Sequence, residues 1–164
     1  MRVNKTMNNT AADLIDLLRQ KHLTIGTVES ATGGLIAHLL TNVPGSSDVY
    51  SGSVVAYSNH IKTRVVGVWP TAIQQQGAVS GEVAEEMAKG GRKLLGVDIC
   101  VADTGIAGPG GATSGKPVGL FYLGLATKDG VESRKHVFHG PREENKLSAA
   151  LAALEWVWER VKER

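Results

Sequence analysis

Leu23-Thr24-Ile25-Gly26-Thr27-Val28-Glu29-Ser30-Ala31-Thr32-Gly33-Gly34 (LTIGTVESATGG) is the stretch whose reading decides the fold. Residues 23–28 are rich in β-branched side chains, which suit a pleated, half-buried surface, and they predict a strand. Glu29 to Gly34 is a glycine-bearing turn, and Leu35 to Leu40 predicts a helix. Strand, tight turn and helix in that order open a βαβ unit, which calls for a parallel partner strand.

Upstream of this stretch, Thr10 can cap a helix whose Leu14, Leu17 and Leu18 share one face and which fades by His22. Residues 1–9 are expected to be a disordered leader. Downstream, Asn42 to Ser47 reads as a loop around Pro44-Gly45, and Ser53 to Tyr57 as a second strand. Asn59 can cap a short helix through Val66. Ser80 caps a longer helix, Gly81 to Leu95, with Val83, Met87 and Leu94 turned inward and Gly96 just past its end. Val97 to Ala102 is a third strand, and it runs into Thr104-Gly105-Ile106-Ala107-Gly108-Pro109-Gly110-Gly111, a segment too rich in glycine for regular structure. Asp129-Gly130 between Val118–Thr127 and Val131–Phe138 marks an antiparallel hairpin. The last helix, Arg142 to Val161, carries Leu147, Leu151, Leu154, Trp158 and Val161 along one stripe. The expected fold is α/β: a three-layer α/β/α sandwich over residues 10–164, with a mixed, mainly parallel sheet and a late antiparallel hairpin.

Composition narrows the function. The chain has 164 residues, 42% of them hydrophobic and 21% charged, which suits one soluble domain. A net charge of +2 is too small to predict nucleic-acid binding. The single cysteine, Cys100, excludes an intramolecular disulfide framework and sits in an apolar run that reads as a buried thiol. No segment is apolar over the ~18 residues that a membrane span needs. A cytoplasmic location is expected, with no membrane partner. Asp and Glu are too scattered to form a recognisable metal cluster, so no metal or cofactor is expected. The tryptophans of the last helix, Trp156 and Trp158, favour a homodimer if part of them is exposed.

Ser30 stands where a strand hands over to a helix. Main-chain N–H groups and the helix dipole favour negative charge there, so a serine oxygen so placed can attack a carbonyl beside an oxyanion site. The simpler reading is an N-cap. A nucleophilic serine needs a base, and none of the five histidines has a recognised triad spacing. Lysine can take that part when desolvation lowers its pKa, and Lys62, following Tyr57, stands at a strand-to-helix transition. The glycine-rich Thr104 segment lets a backbone approach a ligand and can form an anion nest, but it matches neither a P-loop nor GxGxxG. Ser46 and Ser47 can hydrogen-bond a phosphate or merely turn the chain. Arg142 can clamp a phosphate with two hydrogen bonds or stay solvated.

Six segments occur in order: TVESATGG (27–34), VPGSS (43–47), VVAYSN (54–59), GAVS (77–80), TGIAGPGG (104–111) and KPVG (116–119). Together they resemble the CinA C-terminal domain family, the nicotinamide mononucleotide amidohydrolases of PncC type, over about residues 10–160. The resemblance implies hydrolysis of the carboxamide of nicotinamide mononucleotide to nicotinic acid mononucleotide and ammonia, without a metal. It implies Ser30 as nucleophile and Lys62 and Tyr57 as proton-transfer partners, leaving open which of the two takes the first proton. Thr32, Gly33 and Gly34, together with Thr104, Gly105, Ile106, Ala107 and Gly108, correspond to substrate contacts, and Ser46, Ser47 and Arg142 to its phosphate side. Ala31 replaces a common cysteine, Pro141 precedes Arg142 where the family has Asp, and Lys146 replaces a common arginine. Asp103 stands where an apolar residue is usual, which places a carboxylate beside the expected pocket. A domain that binds a pyridine mononucleotide without turnover is the alternative, with Asp103 and Pro141 as the features in its favour.

Overall fold

Ile99 to Ala102 shows how the layers are built. Ile99 and Val101 face one side of the sheet, Cys100 and Ala102 face the other, and all four are fully buried. Both faces of this strand are therefore covered, as the two-sided apolar run requires. The computed structural model describes residues 5–164, with side chains from Asn9 onward. Its strands are β1 (Ile25–Glu29), β2 (Tyr50–Val55), β3 (Ile99–Gly105), β4 (Leu120–Thr127) and β5 (Gly130–Val137). They form one sheet in the order β2-β1-β3-β4-β5. The β1–β2 and β1–β3 pairs are parallel, whereas β3–β4 and the hairpin β4–β5 are antiparallel. Four strands thus point the same way and β4 alone is reversed. This is the mixed sheet with a late hairpin, although its pairings divide evenly.

Three helices cover one face: α1 (Lys5–Lys21), α2 (Leu35–Thr41) and, later in the chain, a long helix over Arg142–Lys162. α3 (Asn59–Ile61), the π-helical turn Lys62–Val66, α4 (Pro70–Gln76) and α5 (Gly81–Leu95) come between β2 and β3, and α5 packs on the other face. The long helix over Arg142–Lys162 is α6. In α1, Leu14, Ile15 and Leu18 are fully buried, each contributing about 1.5–3 kcal/mol by leaving water.

The helix limits differ from expectation in instructive ways. α1 begins at Lys5, so Thr10 is not its cap; of the expected leader, 5–9 are helical and 1–4 lie outside the described residues. Ser58, not Asn59, caps α3 by accepting the Ile61 N–H at 3.2 Å. Ser80 caps α5 and Gly96 follows it in a left-handed conformation. Leu94, however, is half-exposed, and Gly91 takes the inward place beside Val28 and Cys100. A Cβ on Gly91 would stand 2.2 Å from the Val28 side chain, so only glycine lets α5 lie this close to the sheet. The buried face of α6 is centred on Ala150, Ala153, Leu154, Val157 and Val161, while Leu147 and Leu151 sit at its margin. Trp156 belongs to the core at 1% exposure and offers no exposed remainder, whereas Trp158 is partly exposed; among the described residues the most exposed tryptophan is Trp69. Among the described residues, no helix is long and apolar enough to cross a membrane.

Candidate active site

The turn after β1 is built on two buried carboxylates. Glu29, the last residue of β1, accepts the N–H groups of Gly34, Ile36 and Ala37 at 2.9, 3.0 and 2.8 Å and the Thr32 hydroxyl at 2.6 Å. It thereby satisfies the start of α2, where Gly34 at φ +101° has no side chain to do so. Asp103 of β3 accepts the Ser30 N–H at 3.0 Å and the Thr32 N–H at 3.1 Å, and it also contacts the Thr32 hydroxyl. The Gly33 N–H donates to the Ser30 carbonyl at 3.1 Å. The main-chain donors expected to cradle an oxyanion are therefore mostly engaged by the protein itself. Among the described residues, the Ala31 N–H is the one in residues 30–34 that has no acceptor.

The Lys62 amine reaches this turn from the π-helical segment after α3. Its Nζ lies 2.8 Å from Ser30 Oγ, 2.9 Å from the Ala56 carbonyl and 3.3 Å from the Tyr57 carbonyl. Ser30 and Lys62 are both buried, the lysine at 2% exposure. Burial lowers the Lys62 pKa from the usual lysine range, and the Asp103 charge offsets part of that. A neutral amine has two N–H donors and one lone pair. As an ammonium Lys62 donates to all three oxygens; in the neutral form, with the two carbonyls taking its donors, the lone pair is left for the serine hydroxyl. The lysine's position depends on close packing: a Cβ at Gly90 of α5 would stand 2.0 Å from the carbonyl oxygen of Val66, at the end of the π-helical turn.

Ser30 and Lys62 open into a pocket of about 190 Å³, lined also by Ala31, Tyr57, Asn59, Ala78, Val79, Thr104, Gly105, Ala107 and Arg142. The walls are mainly small side chains, which leaves room for a flat ring. Thr104 Oγ donates to the Ala78 carbonyl at 2.7 Å and ties two walls together. Arg142, the first residue of α6, donates to the Gly108 carbonyl at 2.8 Å and lies 3.3 Å from the Tyr57 hydroxyl. Tyr57 is 63% exposed, and its phenol meets Arg142. Only its main-chain carbonyl touches Lys62, so the expected lysine–phenol proton-transfer pair is not formed.

The other expected residues divide. Thr104 and Gly105 belong to β3 and are not irregular, and Ala107 joins them on the pocket wall. Ile106 is held by two main-chain hydrogen bonds to Leu120 and Gly119 and does not line the pocket, while Gly108 meets it through its carbonyl on Arg142. Thr32, Gly33 and Gly34 line a neighbouring pocket of about 330 Å³ with Leu35, His38, Glu143 and Lys146. Ser46 and Ser47 stand apart. Their turn enters β2 at Tyr50, the partner of Ile25 at the start of β1, whereas Ser30 leaves β1 at its other end. Five strand residues, roughly 16 Å, separate the two ends, so neither serine reaches this pocket.

Sequence reading missed Asn59, Ala78 and Val79 as pocket residues, although the GAVS segment was a signal for the last two. It also missed Glu29 as a cap. Asp103 is fully buried beneath the turn and does not line the pocket, so it presents no carboxylate to a substrate. Cys100 is buried, its thiol pKa pushed up to about 12 by desolvation, as an inert core residue requires.

Comparison with known proteins agrees with this architecture. The family model described as CinA C-terminal domain matches residues 7–161. A CinA-like protein of Salinibacter ruber is 52% identical over 144 residues, covering 88% of this chain and 35% of the relative. A CinA-like protein of Chlorobaculum tepidum is 47% identical over 155 residues, 92% and 37% of the two chains. The chain thus spans about a third of the length of the curated relatives it matches. Among solved structures, the competence/damage inducible protein CihA of Agrobacterium tumefaciens superimposes with a TM-score of 0.93 at 35% identity, covering 97% of each chain. The chain belongs to the CinA C-terminal domain family.

Proposed function

We propose that this member of the CinA C-terminal domain family is an amidohydrolase that converts nicotinamide mononucleotide to nicotinic acid mononucleotide and ammonia. The observation that carries the reading is the buried Lys62 Nζ at 2.8 Å from Ser30 Oγ, with a pKa lowered by desolvation. Substrate identity comes from the family resemblance, and the small-walled pocket with a guanidinium at its rim suits a flat ring joined to an anionic group.

The steps follow from the groups present. Ser30 Oγ attacks the carboxamide carbon as its proton passes to Lys62. The oxyanion meets the Ala31 N–H, the unengaged donor beside the nucleophile. Collapse breaks the C–N bond, and Lys62 returns the proton to the departing ammonia, leaving Ser30 esterified by the carboxyl of nicotinic acid mononucleotide. Water then attacks the ester carbon and gives a proton to Lys62, which reprotonates Ser30 as the acid leaves.

Ammonia release from nicotinamide mononucleotide tests this reading. Ser30→Ala is expected to lose about 10³-fold or more in rate while still binding the substrate. Intact-protein mass spectrometry after rapid quenching should show the nicotinic acid mononucleotide acyl adduct on the wild type alone. Full turnover by Ser30→Ala would overturn the acyl-enzyme route. Saturable binding without ammonia from the wild type would favour the binding-domain alternative.

A further inference from the structure

We infer that Asp103 is the positioning residue of the nucleophile turn: its carboxylate fixes the main chain on both sides of Ala31 and, with Ser30 bonded both to it and to Lys62, sets a negative charge near the Lys62 amine. The inference rests on the Ser30–Lys62 reading above. One carboxylate accepts two N–H groups, from Ser30 at 3.0 Å and Thr32 at 3.1 Å, and these residues bracket Ala31. Asp103 itself is held in β3, paired opposite Leu123 of β4, so both bonds are anchored to the middle of the sheet. It is fully buried and absent from the pocket lining, and so acts through the turn and not on a substrate.

The charged and titratable groups around it are few. Glu29 comes from β1 and is saturated with donors, and Lys62 comes from the turn after α3; Tyr57 and Arg142 stand across the pocket at its rim. An apolar residue at 103 would leave two buried N–H groups without an acceptor. Asparagine offers one oxygen, and its NH₂ group faces the second donor. Charge and geometry can therefore be separated by variants.

The test is a titration of Lys62 followed by NMR in protein labelled with [¹³Cε]lysine, run on wild type, Asp103→Asn and Asp103→Val, with the pH profile of ammonia release beside it. Removing the charge is expected to lower the Lys62 midpoint and to move the acidic limb of the rate profile to lower pH. Losing the double anchor is expected to reduce kcat by about a hundred-fold with KM little changed. The wild type alone also decides the matter if the variants fail to fold: the Lys62 signal should show a second inflection where Asp103 titrates. A Lys62 titration with no such inflection, or one unmoved in Asp103→Asn, would overturn the inference. A wild type that releases no ammonia overturns the proposed function instead, and the titration still decides the part played by Asp103.

Discussion

Two aspartates at opposite ends of β3 grip the flanks of β1 through main-chain N–H groups beside a threonine hydroxyl, and their carboxyls shift in opposite directions. Asp98, just before β3, accepts the Thr24 N–H at 2.8 Å and the Thr24 hydroxyl at 2.9 Å. Asp103 accepts two N–H groups and touches the oxygen of a threonine hydroxyl whose proton goes to Glu29. The main-chain bond from Thr24 holds Asp98 below the usual carboxylate range, with Arg92 and Arg164 adding to it. Burial pushes Asp103 up to about 6, outweighing its hydrogen bonds, and the nearby Glu29 raises it further. Hydrogen bonds of one kind thus brace a solvated corner at one end and hold a charge at a cost at the other. The proposed chemistry sits at the costly end.

The comparison breaks first on activity. Lys62→Met is expected to cost about 10³-fold in ammonia release without loss of fold, because it removes the proposed base. If that variant kept its rate, the buried end would have no catalytic part. Asp103→Asn and Asp98→Asn should differ next: the first loses about a hundred-fold in kcat, and the second stays within about two-fold, since Asp98 stands at the far end of the strand.

Stability against pH sharpens the contrast. The folded pKa of Asp103 lies above its unfolded value, 3.8 against about 6, so its contribution is fully present below about pH 4 and is lost as pH rises through about 6. The loss is on the order of 3 kcal/mol. Asp98 runs the other way, contributing above about pH 4 and losing that as pH falls through its lowered folded value. Urea denaturation across pH 3–7 should therefore show Asp103→Asn flattening the slope between about 4 and 6. Asp98→Asn should flatten it below about 4. Gly90→Ala should cost about 1–3 kcal/mol by the same assay, through overpacking against the Val66 carbonyl. Its rate should fall as well, as the turn bearing Lys62 is displaced. Tyr57→Phe is expected to have the smallest effect, under about five-fold on ammonia release, because its phenol meets Arg142 and neither Ser30 nor Lys62.

What could be read from the chain beforehand follows the range of the interactions. The turn at 29–34 and the late hairpin are local chemistry, and both were legible, although the hairpin turns on Lys128-Asp129 and Gly130 already opens β5. Ser30 and Lys62 are 32 residues apart, yet each follows a strand end, which made them candidates; their paired roles came from the family resemblance. Ser46 misled because a serine-rich turn looks alike at either end of a strand, and only the parallel register of β1 and β2 says which end it occupies. Asp103 misled because a carboxylate in an apolar run reads as facing solvent or ligand; its donors are main-chain groups 71 and 73 residues away. In α6 the expected stripe leaned on large side chains, whereas Ala149, Ala150 and Ala153 are what let that helix lie close to the sheet.

The unengaged amide of Ala31 has a consequence for how the proposed activity would be dissected. An alanine scan deletes side chains and would pass over that position silently, since the native residue is already alanine and the useful atom belongs to the peptide bond. Replacing that linkage with an ester by chemical ligation would remove one hydrogen and leave every side chain in place.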